Sequence, residues 1–260
     1  MLEIDFAELT DCGPVREHNE DFIGHWLPAN PMQVRNRGWA FVLADGVGGQ
    51  ERGEVASRLA VESVLAEYSK PAAGESASSL LTTAVQAANH RVYEAGHGSI
   101  ATTLVACALR FDRATVAHVG DSRCYLIRNK RASLLTRDHT VTNDQVRLGL
   151  FSESEARRAI TRNVLSRSIG INLFVAADIS EHHVKAGDLL LLSSDGLHGA
   201  VPDEQIAQIA DSGASLDEAA QQLIAIANHR DGGDNVSVQL VRVKNVEAVG
   251  MYRGRPYRLH

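Results

Sequence analysis

Four carboxylates stand where an apolar run ends and a glycine or a turn begins. Asp45 follows Phe41-Val42-Leu43-Ala44 and precedes Gly46-Val47-Gly48-Gly49; Asp121 follows His118-Val119-Gly120; Asp195 follows a leucine run and Ser193-Ser194 and precedes Gly196; Asp234 lies between Gly232-Gly233 and Asn235. At any one of these positions a local explanation suffices, because Asp-Gly closes hairpins and Asp tolerates the left-handed region. The four together are harder to explain locally. Strand ends converge in a compact domain, and carboxylates crowded at one rim repel one another and resist ionisation. A cation resolves that conflict. Oxygen donors without supporting Cys, and without a His pair at helical spacing, select Mg²⁺ or Mn²⁺ over zinc.

A second ingredient lies near the N-terminus, where Arg16 shortly precedes the acidic pair Glu20-Asp21. Guanidinium is a planar, permanently charged fork that pairs bidentately with phosphate, while nearby carboxylates hold metal ions against the same group. A phosphate ester satisfies both features. Taken alone, Arg16 reads more readily as the partner of Glu17 or Glu20 in a surface ion pair.

The rest of the chain must position these groups. Its 260 residues carry 26 basic and 32 acidic side chains, a net charge of −6, with 44% hydrophobic and 22% charged residues. Those values are ordinary for a globular domain and exclude fibrous or disordered classes. One domain is expected over residues 1–244. The longest apolar run, residues 101–109, is too short to span a bilayer, and the N-terminus has neither the basic flank nor the apolar core of a secretory signal. No membrane insertion and a cytoplasmic location are expected. Cys12, Cys107 and Cys124 are odd in number and widely spaced, which argues for reduced thiols. The net negative charge argues against nucleic acid as a partner.

Apolar or alternating runs at 4–10, 21–26 and 38–44 read as strands. Two helical patterns follow: Ala56, Ala60, Val64 and Tyr68 within 50–70, then Leu81, Val85, Ala88 and Val92 within 76–96. Runs at 101–110, 114–119, 123–128 and 132–136 are joined by links too short for crossover helices and are expected to form an antiparallel meander. Residues 142–167 form a polar excursion with a Ser152-x-x-Glu155 capping box. Strands are expected at 174–180, 188–193 and 236–243, with helices at 203–211 and 216–229. Helices arriving in adjacent pairs favour antiparallel sheets flanked by helix layers, an α+β class. The basic tail at 245–260 shows little periodicity and is expected to be mobile.

The strings Thr10-Asp11-x-Gly13-x-x-Arg16-x-x-Asn19-Glu20-Asp21, Ala44-Asp45-Gly46-x-Gly48-Gly49, Thr102-Thr103, Gly120-Asp121-Ser122-Arg123, Leu135-Thr136-x-Asp138-His139, Ser194-Asp195-Gly196 and Asp234-Asn235 occur in order along the chain. In this the sequence resembles the metal-dependent PP2C-type (PPM) Ser/Thr protein phosphatases, over about residues 5–243. Short length without large insertions is similar to the bacterial branch, whose members commonly oppose Hanks-type Ser/Thr kinases. The resemblance implies a four-layer α-β-β-α sandwich and hydrolysis of phosphoserine or phosphothreonine by a metal-activated water, without a phosphoenzyme.

Carried over position by position, the resemblance implies that Asp45 bridges two Mn²⁺ or Mg²⁺ ions and that the Gly46 carbonyl binds one of them. Asp195 and Asp234 would hold the first ion and Glu20 would reach the second. Asp21 would orient coordinated waters, and Asp121 with Asp195 would support a third, weaker ion. Arg16 would bind the substrate phosphate. Two divalent ions so placed neutralise the carboxylates, lower the pKa of a bridging water and brace an in-line displacement. Phosphorylated proteins, among them a kinase and its substrates, are the implied partners. One departure concerns proton transfer: many eukaryotic relatives carry His at the position of Val47, and valine donates no proton. His18 and His139 are nearby in the motifs, but a lone His is more often a hydrogen-bonded structural residue. The excursion at 142–167 matches the family's flap. Its arginines at 147, 157, 158, 162 and 167 outnumber its two acids beyond residue 147, a balance that would attract a phosphopeptide.

Overall fold

The computed structural model describes the chain except residues 48–51, 71–73, 157, 158, 160, 162, 253, 254, 259 and 260; residues 153, 154, 250–252 and 255–258 are described as backbone only. Gly48 and Gly49 of the glycine-rich motif, the flap arginines 157, 158 and 162, and Arg253 therefore lie outside the described residues, as do the side chains of Arg255 and Arg258.

The elements run β1 (Glu3–Asp11), β2 (Asp21–Trp26), α1 (Pro31–Asn36), β3 (Trp39–Asp45), α2 (Gly53–Ser69), α3 (Ala77–Gly96), β4 (Leu104–Arg110), β5 (Arg113–Val119), β6 (Arg123–Arg128) and β7 (Arg131–Leu134). The second half continues with α4 (Val141–Arg147), α5 (Glu153–Ala156), β8 (Asp178–His183), β9 (Leu189–Ser193), α6 (Asp195–His198), α7 (Asp203–Ala210), α8 (Leu216–Arg230), β10 (Val236–Asn245), β11 (Val249–Tyr252) and β12 (Arg255–Arg258).

Two five-stranded antiparallel sheets, ordered β1-β10-β9-β6-β7 and β2-β3-β4-β5-β8, stack face to face. The α2–α3 pair covers the outer face of the second sheet and α7–α8 the outer face of the first. This is the α+β four-layer sandwich expected. Central strands have both faces covered, so they read as unbroken apolar runs. In β9, Leu190 and Leu192 join the core between the sheets while Leu189 and Leu191 pack under α7 and α8. In β3, Phe41 and Leu43 point between the sheets while Val42 and Ala44 meet α2. By the same alternation Asp45 shares the inter-sheet side with Phe41 and Leu43.

Two expectations are corrected. The four strands from 101 to 136 are not one meander: β4–β5 belongs to the second sheet and β6–β7 to the first. The chain crosses between sheets at Gly120-Asp121-Ser122, with Gly120 at φ +109. The strand expected at 174–180 begins only at Asp178, because its partner β5 runs out opposite it: Asp178 pairs with His118, one residue before the end of β5. Within residues 245–260, β11 and β12 pair antiparallel from Val249↔Arg258 to Tyr252↔Arg255.

Helix α1 was not expected from periodicity, being a single short element with one buried residue, Val34. Its local signal is nonetheless explicit: the Asn30 side chain accepts from Gln33 N and Pro31 occupies the first turn. The Ser152–Glu155 capping box is formed, with Glu155 N donating to Ser152 Oγ at 3.3 Å and Ser152 N donating to Glu155 Oε2 at 2.8 Å. Among the described residues no helix is long and apolar enough to cross a membrane. Cys12, Cys107 and Cys124 are free thiols.

Candidate active site

The strand ends do converge. Asp21 opens β2 directly opposite Asp45, which closes β3. The ladder continues one step beyond them, as Gly46 N donates to Glu20 O at 3.0 Å. Asp195 begins the single turn α6 immediately after β9, and Asp234 immediately precedes Asn235 and β10. Asp121 sits at the crossover between sheets. A cleft of about 900 Å³ is lined by Asp121, Asp195 and Asp234, together with Asp138 and Asp203.

Hydrogen bonds from neutral side chains fix the Asp21 carboxylate and the backbone at Asp45 and Glu20. Ser194 Oγ donates to Asp21 Oδ2 at 2.7 Å and accepts from Ser237 N at 2.9 Å, tying the two sheets together at the rim. Thr103 Oγ1 accepts from Asp45 N at 2.9 Å and lies 2.7 Å from Ser122 Oγ, while Thr102 Oγ1 donates to Asp45 O at 2.7 Å. Asn235 clamps the N-terminal loop: its Oδ1 accepts from Glu20 N at 2.9 Å, and its Nδ2 donates to Cys12 O at 2.9 Å and His18 O at 3.0 Å. The sequence reading placed Thr102, Thr103, Ser194 and Asn235 inside motifs without giving them a task. For Ser194 and Asn235, a small polar residue directly beside an acid was the available signal.

Glycine beside the acids serves close approach. Neither Gly46 nor Gly196 has positive φ. A Cβ on Gly46 would meet the Gly53 carbonyl at 2.5 Å and Glu20 O at 2.8 Å, and one on Gly196 would meet Asn235 O at 2.1 Å. The hairpin-turn explanation of these Asp-Gly pairs therefore fails, and the glycines let the acid-bearing loops of different strands approach closely.

Crowding has the electrostatic consequence expected. Burial, then repulsion from Asp121, Asp234 and Asp21, lifts the Asp195 carboxyl to about 8. Burial followed by Asp21 and Asp195 holds Asp45 well above the usual carboxylate range. Asp121 is raised to about 7 by burial and by Asp138, and Asp21 to about 6 by burial, against the hydrogen bonds from Ser237 and Ser194. Glu20 is raised by burial in opposition to Arg16. Asp45 lies directly opposite Asp21 in the β2–β3 ladder, and the charges of Asp21 and Asp195 both act on its carboxyl. The remaining oxygen of Asp21, Oδ1, is buried with no hydrogen-bond partner.

Among the described residues no group of three or more His, Cys, Asp or Glu side chains is arranged to hold a metal ion as it stands. Local pairing accounts for this. Asp234 Oδ1 is 2.9 Å from Arg16 Nη2, and Arg16 Nε donates to Gly233 O at 3.1 Å. Asp21 takes the Ser194 hydroxyl, and Glu20 leans on Gly53 at the start of α2. The chemistry of the donors nonetheless fits a hard divalent cation: every candidate is an oxygen, one is orphaned and buried, and their burial and mutual repulsion outweigh the nearby arginines.

Other residues of the motifs are structural. Arg123 forks onto Asp138, with Nε to Oδ1 at 3.0 Å and Nη2 to Oδ2 at 2.7 Å. His139 is buried, its Nδ1 accepting from Gly120 N at 3.2 Å and its Nε2 3.1 Å from Asp178 Oδ2. It holds the crossover that presents Asp121. In the flap, Arg167 is committed to Asp178 at 2.8 Å and to Ala176 O.

The family model of protein phosphatase 2C matches residues 9–236. A serine/threonine phosphatase, stp, of Listeria welshimeri is 33% identical over 240 residues, covering 89% of this chain and 93% of its own. The Streptococcus agalactiae serine/threonine phosphatase superposes with a TM-score of 0.84 at 32% identity, covering 93% of this chain and 100% of the other. The catalytic domain of the serine threonine protein phosphatase PstP, solved with 2 manganese ions, gives a TM-score of 0.79 at 30% identity over 94% of this chain and 100% of that one. The chain belongs to the protein phosphatase 2C family, a family of metal-dependent enzymes. It is a protein-serine/threonine phosphatase, a hydrolase of phosphoric monoesters on proteins.

Proposed function

We propose that the carboxylate rim is the catalytic centre. Asp45, Asp195 and Asp234, with Glu20, Asp21, Asp121 and the Gly46 carbonyl, would hold two Mn²⁺ or Mg²⁺ ions and a third, weaker one. When bound, such ions supply water activation and neutralise charge developing at phosphorus. Arg16 would grip the phosphoryl oxygens as a bidentate fork from the lip of the cleft. Ser194, Thr103 and Asn235 hold the acids in place, so that the rim is ordered before substrate arrives. Val47, whose N–H is spent on Ala101 O at 3.0 Å, has no proton to give the leaving oxygen. His139, tied to Gly120, is not placed to give one either.

The observation that carries this reading is that Asp21 and Asp45 face each other across β2 and β3, close enough to Asp195 for its charge to raise the Asp45 carboxyl, while one buried oxygen of Asp21 has no hydrogen-bond partner. We place the enzyme opposite a bacterial Hanks-type Ser/Thr kinase in the cytoplasm, a location that its three free thiols fit. The test is phosphate release from a phosphothreonine peptide with Mn²⁺, with EDTA, and with Asp195→Asn. Release should require the metal and vanish in the variant. Undiminished turnover by Asp195→Asn would remove the assignment.

A further inference from the structure

We infer that a second cavity, of about 510 Å³ beside Val47, receives an apolar side chain of the substrate polypeptide a few residues from its phosphorylated serine or threonine. The inference rests on the carboxylate rim being the active site. Val47, Ala101, Val164, Leu165, Ile171 and Phe174 form the apolar wall. Asn163 lines both this cavity and the acidic cleft that holds Asp121, Asp195 and Asp234, so the two adjoin there. A chain whose phosphate sits at the rim passes the apolar wall next.

The exposed surface there is not loop-tip noise. Phe174 is 84% exposed, Leu173 54% and Val164 49%. A free loop would fold such side chains inward, but this one is tied from behind to α3. Asn89, fully buried, donates from Nδ2 to Asn172 O at 2.8 Å and Leu173 O at 3.2 Å and accepts from Gly170 N at 2.9 Å; Gln86 Nε2 donates to Val175 O at 2.6 Å. The backbone on both sides of Phe174 is thereby fixed and the ring held outward. An apolar wall ordered in advance lowers the cost of binding, and exposed apolar surface adjoining an active site marks a binding surface. The size is that of an ordinary ligand pocket. Charge sorts the rest of the peptide: the cleft itself is acidic, so the phosphate is held by Arg16 and cations, and affinity for neighbouring residues comes from apolar contact.

The experiment compares phosphothreonine peptides in which a single leucine or serine is placed, in turn, within about four residues on either side of the phosphothreonine, a reach of roughly 13 Å. At one or two positions the Leu-to-Ser ratio of kcat/KM should be about 10 or more. It should fall towards 1 in Phe174→Ser and, independently, in Val164→Ser. Because the ratio is taken within each enzyme, general damage cancels. A ratio near 1 at every position in the unmodified enzyme overturns the inference, as does a ratio that neither substitution changes. So does a Phe174-dependent dimer in sedimentation without peptide preference, which would assign the wall to a second copy. Failure of the active-site reading looks different: Asp45→Asn would then turn over both peptides undiminished.

Discussion

Asp21 and Asp45 are paired residue to residue across β2 and β3, like charges directly opposite each other on adjacent strands. Such a pair destabilises a sheet unless something compensates it. The protein keeps both acids, buried Asp21 retaining one oxygen with no partner at all. Asp45→Asn should therefore separate stability from function. In EDTA its Tm should rise by ~2–4 °C, corresponding to about 1 kcal/mol in a domain of this size. Metal-dependent phosphate release should fall at least ~1000-fold. Thermal unfolding in chelator and initial-rate kinetics read the two effects; a lower Tm would mean that the carboxylate is held by partners other than a cation.

The same crowding fixes a pH dependence. Asp195, Asp121 and Asp21 have folded values of about 8, 7 and 6, all above the ordinary 3.8 of an unfolded chain. The folded protein therefore binds more protons than the unfolded one between these limits, and the stability they contribute is lost as pH rises through 6 to 8. Without metal, Tm should decline across that range. Mn²⁺ must displace those protons, so its stabilising effect should be larger at pH 8 than at pH 6 and the decline should flatten. Scanning fluorimetry at four pH values with EDTA or Mn²⁺ checks this. Parallel curves would show that metal and proton do not compete for these groups.

Strand ends carrying acids were legible because a carboxylate at the edge of an apolar run beside glycine or a turn is anomalous: Asp45, Asp121 and Asp195 follow such runs and Asp234 precedes one. The helix pairs were legible from their period. Sheet membership was not: β5 and β6 are joined by a three-residue link that, locally, resembles any hairpin. Only Gly120, whose Cβ would meet Thr103 at 2.7 Å, turns the chain into the other sheet. The beginning of β8 was likewise unreadable, since it depends on where its partner ends. The clamp made by Asn235 joins residues more than two hundred positions apart, and the commitment of Arg16 to Asp234 and Gly233 is a tertiary event of the same kind.

Arg16 reaches Asp234 with both partners substantially exposed, 39% and 44%. An ion pair in that setting contributes little to folding. Arg16→Ala should thus change stability by no more than about 0.5 kcal/mol. Its kcat/KM on a phosphopeptide should fall by about 100-fold, and Arg16→Lys should not restore it, since a point charge cannot replace a bidentate fork. Urea unfolding and peptide kinetics on the same preparations decide the matter. Full rescue by Lys would reduce the role of Arg16 to simple charge.

Gly46 tests whether the loops at the rim are held by close backbone packing. Its missing Cβ leaves room for the Gly53 carbonyl and for Glu20 O, both backbone atoms that cannot rotate away. Gly46→Ala should cost about 3 kcal/mol by overpacking and displace the two strand ends from each other. Gly149 provides the contrast, with φ +71 but no atom within 4 Å of its would-be Cβ. Alanine there incurs only the left-handed backbone penalty of about 1 kcal/mol. If packing between Gly46, Gly53 and Glu20 is what sets the spacing of the acids, calorimetry should show Mn²⁺ affinity reduced in Gly46→Ala and unchanged in Gly149→Ala. Equal Mn²⁺ binding by both variants would mean that the rim tolerates a wider gap than its glycines imply.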